Sequence, residues 1–353
     1  MMKDLPDLQK NAEIHFKYAL AKGRSRYLCL SRLEQSLEAS DGDQAQTTLS
    51  LFDEWLQTNT SKDAIALYQD MAQQYLSGKW QGDRDSWKDS LEEPTWRRVT
   101  TDHQQCTNRR CSNFSACAFF KARNDLDDAD IIVANHDLVL ADLSLGGGVV
   151  LPDPKDTIYI FDEGHHLPDK AIDHFAGSFR INASLQWLRL LKKSLTDLNA
   201  ELGRDEMIVR QLNQLPEILN TLETELAECY RQLHAITQFS PENMDRDVRP
   251  VYRFEKGMVP EVLTVIAMNL KISFASLCQK LEVMVKQLKD AMDPDANSAI
   301  GKAEGEQWLP LATMLHARSV SAWELWGMYA QPQAEDVMPI ARWITLQNQQ
   351  VDI

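Results

Sequence analysis

Two apolar stripes in the second half of the sequence restrict the fold most, because each requires a long helix with one buried face. Their members recur at steps of three and four residues: Leu212, Leu215, Leu219, Leu222, Leu226, Cys229, Leu233 and Ile236, then Leu263, Ile266, Leu270, Phe274, Leu277, Leu281, Met284 and Leu288. Stripes of this spacing pack against partner helices. Residues 171–340 are therefore predicted to form an antiparallel helical bundle.

Breaks in the pattern indicate where these helices end. Pro216 is expected to start or kink a helix, because proline lacks the N–H that a helix interior requires. Loops are expected at 238–250 and 293–306, and turns at 41–43 and 59–61, where small and polar residues cluster.

Residues 128–170 have a different texture. Two short runs, 131–134 (IIVA) and 158–161 (IYIF), are continuously apolar, and a helical stretch and three consecutive glycines at 146–148 separate them. Strands buried on both faces of a parallel α/β sheet have this pattern. The sequence therefore predicts an α/β part at 128–170, a helical part at 171–340, and a final segment at 341–353 that returns toward the α/β part.

Length and charge narrow the class of protein. A chain of 353 residues suits two or three compact units. No run approaches the roughly 20 uncharged apolar residues of a membrane span, and the charged N-terminus does not resemble a signal peptide, so a cytoplasmic protein is expected. The net charge of −15 argues against a generally basic coat for nucleic acid. A local positive track on one strand remains compatible with it.

Four of the six cysteines have the spacing of a metal site. Cys106, Cys111 and Cys117 are separated by four and five residues, and Cys29 lies further upstream, all within residues 1–127. In a reducing compartment such cysteines indicate a metal or catalysis rather than disulfides. Four thiolates can hold one 4Fe–4S cluster. Zinc in the same thiolates, or buried cysteines without a ligand, remain alternatives.

The other two cysteines, Cys229 and Cys278, fall on apolar helix faces and are expected to be small core residues.

Basic and aromatic residues surround the four cysteines. They are Lys22, Arg24, Arg26, Arg109, Arg110, Lys121 and Arg123, with Trp80, Trp87 and Trp96 beside Arg97 and Arg98. This mixture suits the phosphates and bases of a single nucleic-acid strand. Taken singly, such basic residues are more often part of a solvated surface.

A pair of acids follows the second apolar run, in the sequence Asp162-Glu163-Gly164-His165. An ATPase needs such a pair at the end of a strand: the first acid holds Mg2+ and the second positions the attacking water. Strands ending in two acids also occur in other proteins. A metal site formed by His165 and His166 is a further option, although adjacent side chains normally point to opposite sides of a chain.

Together, and in this order, the motifs resemble the DinG branch of the XPD-like superfamily 2 helicases. Residues 22–29 (KGRSRYLC) resemble the segment around the first cluster cysteine of that family, and 106–117 match the other three. Residues 129–136 (ADIIVANH) resemble the strand that follows the cluster domain, and 162–169 (DEGHHLPD) match the DEAH box. The helical stretch that follows resembles the family's arch domain.

The resemblance implies a fold class of α/β plus α. Part of a RecA-like P-loop NTPase domain at 128–170 would carry an inserted iron–sulfur domain at 1–127, which begins with a helical lead-in. A helical arch domain would occupy 171–340.

The resemblance also implies roles for single residues. Cys29, Cys106, Cys111 and Cys117 would be the ligands of a 4Fe–4S cluster. Asp162 would be the Mg2+ acid, Glu163 the catalytic acid and His165 the coupling residue. Members of the family hydrolyse ATP with Mg2+ and unwind DNA from 5′ to 3′. DinG-type enzymes act on forked, D-loop and R-loop DNA, so single-stranded and forked DNA would be the partners.

Two motor motifs of the family are absent from this sequence. It has no phosphate loop of the form G-x-x-x-x-G-K-(S/T) and no Q-x-x-G-R-x-x-R segment. We therefore expect an internal fragment without the second motor domain. Because no loop cradles the phosphates, the chain alone should not hydrolyse ATP, and another polypeptide would supply the missing portions. The alternative is a non-enzymatic module, bearing a cluster or zinc, that binds DNA or a partner.

Overall fold

The computed structural model describes residues 4–38, 62–103, 105–237, 250–293, 295–296, 298–332, 339–347 and 350–352. The turns predicted at 41–43 and 59–61 and nearly all of the loop predicted at 238–250 lie outside these residues. The chain divides into two compact units. The first comprises 1–40, 60–103 and 108–176, and the second comprises 177–353 with 41–59 and 104–107.

The first unit consists of short elements. Its helices are α1 (Asp4–Ala12), α2 (Leu30–Glu38), α3 (Lys62–Leu76), α4 (Glu93–Arg98), α5 (Ala118–Asp127), α6 (His136–Ser144) and α7 (Leu167–Phe175), and its strands are β1 (Tyr18–Ala21) and β2 (Ile131–Ala134). The two strands pair in parallel, with Tyr18 opposite Ile131 and Ala21 opposite Ala134.

Two separate cores hold the first unit together. The smaller one packs around the strand pair and contains Ala19, Ala21, Leu126, Val139 and Leu151. The larger one joins α2, α3, α4 and the start of α5 through Tyr27, Leu28, Leu33, Tyr68, Met71, Tyr75, Trp80, Trp87, Trp96, Val99, Ala118 and Phe119.

The sheet differs from the one predicted. β2 was predicted correctly as a strand, but its partner is β1, whose four residues (YALA) carry too weak a local pattern to stand out. The run 158–161 does not form a strand, and Ile158 and Ile160 are 90% and 91% exposed. A run that is apolar on both faces needs neighbouring strands and covering helices to bury it. Within the described residues no strand pairs with it, and only Tyr159 packs against the smaller core.

A buried carboxylate organises the loop that precedes this run. The side chain of Asp142, which is fully buried, accepts hydrogen bonds from the backbone N–H groups of four successive residues, Gly148, Val149, Val150 and Leu151. Burying a carboxylate is costly unless its oxygens are satisfied, and here the donors come from the loop itself. The glycines make the turn possible: Gly147 has a φ of 80°, and a Cβ there would lie 2.5 Å from Cγ of Pro154.

The second unit is a helical bundle with a small antiparallel sheet. Its helices are α8 (Ile181–Leu202), α9 (Glu206–Leu212), α10 (Leu215–Thr237), α11 (Glu261–Ala291) and α12 (Lys302–Ala330), and its strands are β3 (Val251–Arg253), β4 (Trp343–Gln347) and β5 (Gln350–Asp352). The strand order is β3-β4-β5. The segment expected to return toward the α/β part thus pairs with β3 inside this unit. The loop before α12 is shorter than predicted, because α12 begins at Lys302.

Both predicted stripes are the core of this bundle. Fourteen of their sixteen members are buried, and the remaining two, Ile236 and Ile266, pack against the same core while partly buried. Burial of each leucine contributes about 1.5–3 kcal/mol relative to its exposure. Pro216 lies in the first turn of α10, after a break between Leu212 and Leu215, so it starts a helix as predicted.

One buried cation fastens the end of α12. The guanidinium of Arg342 donates to the backbone carbonyls of Met328, Gln331 and Gly257. The last carbonyls of a helix have no partner within the helix, so an arginine placed there satisfies them. This contact joins α12 to the start of β4.

By length and composition alone, α11 could cross a membrane, although Lys271 and Lys280 interrupt its apolar run, so it holds no stretch of 20 uncharged residues. One face of α11 packs in the bundle core through Leu263, Leu270 and Phe274. A core helix of a protein outside membranes can meet the same criterion, but only 28% of this apolar window is buried, and Val262, Val265, Met268 and Ile272 are exposed.

Candidate functional site

The segment that carries Cys29 touches the loop that carries Cys111, although the two are more than seventy residues apart. The hydroxyl oxygen of Ser31 lies 3.2 Å from the sulfur of Cys111. On the other side of Cys29, the guanidinium of Arg24 donates to the side-chain oxygen of Asn108 at 2.9 Å. The two regions predicted to meet around one metal centre are therefore adjacent within the first unit.

Packing positions Cys29 from both sides. The N–H of Cys29 donates to the carbonyl of Val99, and the N–H of Leu28 donates to the carbonyl of Gly82, both at 2.8 Å. Cys29 directly precedes α2, and its carbonyl accepts from the N–H of Leu33. The thiol thus lies at a helix N-terminus, where the helix dipole favours a negative charge.

Two short turns place Cys111 and Cys117. Residues 108–110 and 114–116 each form one turn of 3-10 helix, and the N–H of Cys111 and that of Cys117 close these turns. Asn108 adopts a left-handed backbone with a φ of 53°, which reverses the chain before Cys111. Cys117 occupies the position directly before the first turn of α5. The loop therefore curls between its two thiols instead of running straight.

The fourth predicted ligand, Cys106, lies in the stretch 104–107, which groups with the second unit. Its membership of the thiol set stays a prediction.

The cysteines differ in a way that bears on metal binding. All six are thiols rather than disulfides. Burial raises the pKa of Cys229 to about 12 and that of Cys278 to about 11, so both are neutral at pH 7. Metal ligands must be thiolates, and the other four cysteines are all partly exposed. Cys229 is a core residue, as predicted, and Cys278 is half-buried in the same bundle.

Thiol sulfurs are donors of the kind that an iron–sulfur cluster requires, and the structure brings the segment of Cys29 next to the loop of Cys111. Soft thiolates are the ligands that iron–sulfur clusters and zinc prefer. A hydroxyl within hydrogen-bonding distance of a sulfur, as Ser31 is of Cys111, is the kind of outer contact that orients a metal ligand. Asn113 holds Ser31 in place by donating to its hydroxyl at 3.3 Å and to Glu34 at 2.9 Å.

Several of the predicted basic residues are engaged inside the first unit. Lys22 bonds to Asp83 at 2.6 Å and to Asp85 at 2.8 Å, and Arg26 pairs with Asp85. Burial lowers the pKa of Lys22, but the hydrogen bonds to the two aspartates outweigh it and raise that pKa above its ordinary value. Because these two cations are paired with aspartates of the same unit, their main role is to stabilise the fold rather than to bind a nucleic-acid phosphate.

Other basic residues point elsewhere. Arg24 stacks over Phe119 with its guanidinium carbon 4.3 Å from the ring centre. Arg109 and Arg110 are exposed in the turn between Cys106 and Cys111. That turn is the part of the predicted basic track most open to a phosphate backbone.

The aromatic part of that prediction is wrong. Trp80, Trp87 and Trp96 are buried, and Trp96 is only 1% exposed. The rings of Trp80 and Trp87 lie 4.6 Å apart, centre to centre, inside the larger core. They cannot stack on bases, because no ring face is open. Aromatic residues interleaved with charged ones also occur in short elements that bury their aromatic side in a core, and this is the case here.

The two acids lie on a tight, exposed turn. Glu163 has a left-handed backbone with φ 49° and ψ 39°, and its N–H donates to the side chain of Asp162 at 2.9 Å. The N–H of His166 then donates to the carbonyl of Glu163 at 3.0 Å, which closes a 3-10 turn over 164–166. α7 begins directly afterward. The predicted carboxylates are thus neighbours on one turn, which we call the carboxylate turn (162–166).

The exit of β2 holds the carboxylate turn, and sequence analysis did not assign this role. The imidazole Nε2 of His136 lies 3.0 Å from the carbonyl oxygen of Asp162. The side chain of Asn135 caps α6 by accepting from Leu138. Asp137 pairs with Lys170 of α7 at 3.0 Å. His136 and Asp137 thus join the end of β2 to the turn and to the helix that follows it, while Asn135 caps α6. The only signal in the sequence was their position directly after an apolar run.

Comparison with known proteins agrees with these features. The DEAD_2 family matches residues 81–184, which include three of the four cysteines and the carboxylate turn. The chain is 33% identical over 346 residues to the ATP-dependent DNA helicase DinG of Photobacterium profundum, covering 97% of the chain and 46% of that protein. It is 30% identical to DinG of Escherichia coli K12 over 359 residues, covering 99% of the chain and 46% of the relative.

DinG of Salmonella typhimurium is likewise 30% identical over 354 residues, at 97% of the chain and 46% of the relative. The chain spans about half the length of the curated relatives it matches. Along nearly its whole length the chain is thus similar to DinG helicases, and it shares the DEAD_2 region with its family.

Proposed function

We propose that this chain forms the cluster-bearing, carboxylate-bearing and helical part of an ATP-dependent DNA helicase that acts in DNA repair. The complete enzyme would move from 5′ to 3′ in the cytoplasm and unwind forked, D-loop or R-loop DNA. One observation carries the proposal: His136 at the exit of β2 contacts Asp162, so a strand end and the paired acids share one edge. An ATPase needs its acids at such an edge.

The carboxylate turn supplies the chemistry of hydrolysis in this proposal. Asp162 would hold Mg2+ through its water shell, and Glu163 would orient the attacking water and take its proton. His136 fixes the backbone of Asp162, so the acid keeps its direction when the ion arrives. His165, whose Nδ1 lies 3.3 Å from the carboxylate of Glu163, would pass the nucleotide state to neighbouring elements.

The exposed run 158–161 fits a RecA-like sheet that is completed by further strands. Ile158 and Ile160 lie on one side of the extended chain, and Tyr159 and Phe161 stack on the other with ring centres 6.1 Å apart. Strands on either side and a helix over Ile158 and Ile160 would bury this surface. The remaining motor portions of the helicase, on this or another polypeptide, would supply them.

This polypeptide by itself is proposed to lack ATPase activity. No G-x-x-x-x-G-K-(S/T) loop is present in the sequence, so no backbone N–H cradle and no lysine would hold the β- and γ-phosphates. An assay with radiolabelled ATP and single-stranded DNA should detect no turnover above a Glu163→Gln control. Clear turnover that Glu163→Gln abolishes would refute this part.

Cys29, Cys106, Cys111 and Cys117 are proposed to hold a 4Fe–4S cluster. The cluster would supply a redox-active centre that also ties residues 29–31 to the loop 106–117. Protein purified without oxygen should be brown, with four iron atoms per chain. A colourless protein with stoichiometric zinc would replace this proposal with a zinc-stabilised module.

DNA binding is proposed to use the exposed turn that carries Arg109 and Arg110. Changing both to alanine should weaken binding of single-stranded DNA and reduce the slope of log affinity against log salt by about 1.4, or about 0.7 for each lost phosphate contact. Lys193→Ala, an exposed cation on α8, is the matched control and should change neither quantity. Equal effects of the two changes would contradict a specific role for the turn.

A further inference from the structure

We propose that Glu163, His165 and His166 form a binding site for a first-row transition-metal ion such as Zn2+ or Co2+. One ligand atom from each side chain, a carboxylate oxygen and two imidazole nitrogens, lies within 4.8 Å of the other two. This site differs from the Mg2+ position proposed at Asp162 in both its residues and its chemistry.

The backbone explains how two adjacent histidines come to the same side. In an extended chain their side chains would diverge, which is why the sequence disfavoured a shared ion. Here residues 164–166 form a 3-10 turn, and the two imidazole rings lie 3.9 Å apart, centre to centre, at an angle of 41°. The turn thus removes the geometric objection.

The left-handed conformation of Glu163 adds the third ligand. With φ at 49°, the chain folds back, and the carboxylate reaches to 3.3 Å from Nδ1 of His165. Ligand atoms of a tetrahedral zinc site are about 3.4 Å apart when each lies about 2.0–2.1 Å from the ion. This pair already has that separation.

Small rotations would complete the site. The side chains of Glu163 and His165 are 69% and 67% exposed, so no packing opposes their movement. Gly164 has open space around it and a backbone that any residue adopts, so the turn does not depend on the glycine.

The donor set selects the class of ion. Imidazole nitrogen suits zinc, copper, nickel and cobalt, whereas magnesium prefers an octahedron of oxygen atoms and waters. Three protein ligands leave one position for water, as in open zinc sites. An ion bound here would neutralise the carboxylate of Glu163, and, if the proposed helicase function holds, it would inhibit water activation.

Titration of Co2+ into the anaerobically purified chain, without nucleotide, tests the site. We expect one equivalent with a visible spectrum typical of nitrogen and oxygen ligands, without the intense sulfur-to-cobalt bands of thiolate ligation. His165→Ala and His166→Ala should each weaken binding at least about tenfold, since even loss of an outer contact to a ligand costs 10–100-fold. An equal concentration of Mg2+ should not displace the ion.

Two control variants make the result specific. His174→Ala removes an exposed histidine on α7, and Gly164→Ala changes the turn without touching a ligand; both should bind Co2+ like the unchanged protein. Binding that survives in the His165→Ala/His166→Ala double variant, that shows only sulfur ligation, or that Mg2+ displaces would overturn the proposal. Because no ATP is present, that failure is separate from failure of the helicase proposal.

Discussion

The bundle of the second unit and the first unit are stabilised in different ways. In the bundle, four long helices and the short α9 share one continuous core, in which Leu219, Leu222 and Leu270 are completely buried. The first unit has two small cores and relies on polar contacts, such as those of Asp142 and Lys22. The bundle is stabilised mainly by apolar burial, with the buried Arg342 satisfying the end of α12. The first unit, which carries every candidate site residue except Cys106, depends on specific contacts and, in our proposal, on a bound cluster.

The largest expected effect comes from removing a proposed cluster ligand. Cys111→Ser should lose the iron and loosen the loop around residues 108–125, because metal binding and local folding are coupled. Iron content and limited proteolysis measure both effects. Cys278→Ser in the bundle is the control and should leave the iron content unchanged. Full iron content and unchanged protease resistance in Cys111→Ser would show that no cluster bound by Cys111 stabilises the first unit.

A cavity in the bundle should lower the stability of the second unit and leave the proposed cluster unaffected. Leu222→Ala should lower the free energy of unfolding of the bundle by about 2–5 kcal/mol, because it leaves a void in a close-packed core. Denaturation followed by circular dichroism measures the loss, and the iron content should not change. Val265→Ala, at an exposed site on α11, should stay within about 0.5 kcal/mol. Loss of iron in Leu222→Ala would show that the two units are not stabilised independently.

Loss of the buried carboxylate of Asp142 should destabilise the loop that it holds more than the bundle helices. Asp142→Ala leaves four backbone N–H groups without their acceptor, which should cost about 1–3 kcal/mol or more. Hydrogen exchange of residues 148–151 should accelerate before that of the bundle helices. Asp127→Ala, an exposed acid on α5, is the control and should change neither. Unaltered exchange in Asp142→Ala would mean that the loop is held by other contacts.

The hydroxyl of Ser31 should tune the proposed cluster. Its hydrogen bond to the sulfur of Cys111 stabilises the more negative, reduced state, so Ser31→Ala should lower the reduction potential. A tenfold change in the reduction equilibrium corresponds to about 59 mV for one electron.

A redox titration of the anaerobic protein measures the shift, and Ser112→Ala, next to the same cysteine and exposed, should cause none. A brown protein with an unshifted potential would contradict the role of Ser31 while leaving the cluster in place.

The smallest effect concerns the ion pairs of Asp85. Burial raises the pKa of Asp85, but Lys22 and Arg26 outweigh it and hold that pKa below its ordinary value of 3.8. The ionised carboxylate therefore stabilises the fold at pH values above 3.8, and this contribution is lost as the pH falls through the lowered pKa. Asp85→Asn should cost about 1 kcal/mol or less at pH 7. The difference from the unchanged protein should vanish in acid, and a difference that grows there would contradict the ion-pair explanation.

Local patterns in the sequence determined the bundle and one strand. The spacing of the leucines predicts which face of α10 and α11 is buried, and Pro216 predicts where α10 starts. Neither prediction depends on which helices are the partners. The apolar run of β2 was equally clear. The order of the cysteine and Asp162–Glu163 motifs sufficed to indicate the family, because those residue types and spacings are set by the chemistry they serve.

Tertiary structure alone decided the features that depend on distant residues. The pairing of β1 with β2, the exposure of Ile158 and the burial of Trp96 follow from which segments meet, and no local pattern encodes that. The contact of His136 with Asp162 and the acceptor role of Asp142 have the same origin. Even the side-by-side rings of His165 and His166 required a backbone turn, since adjacent side chains diverge unless the chain between them curls.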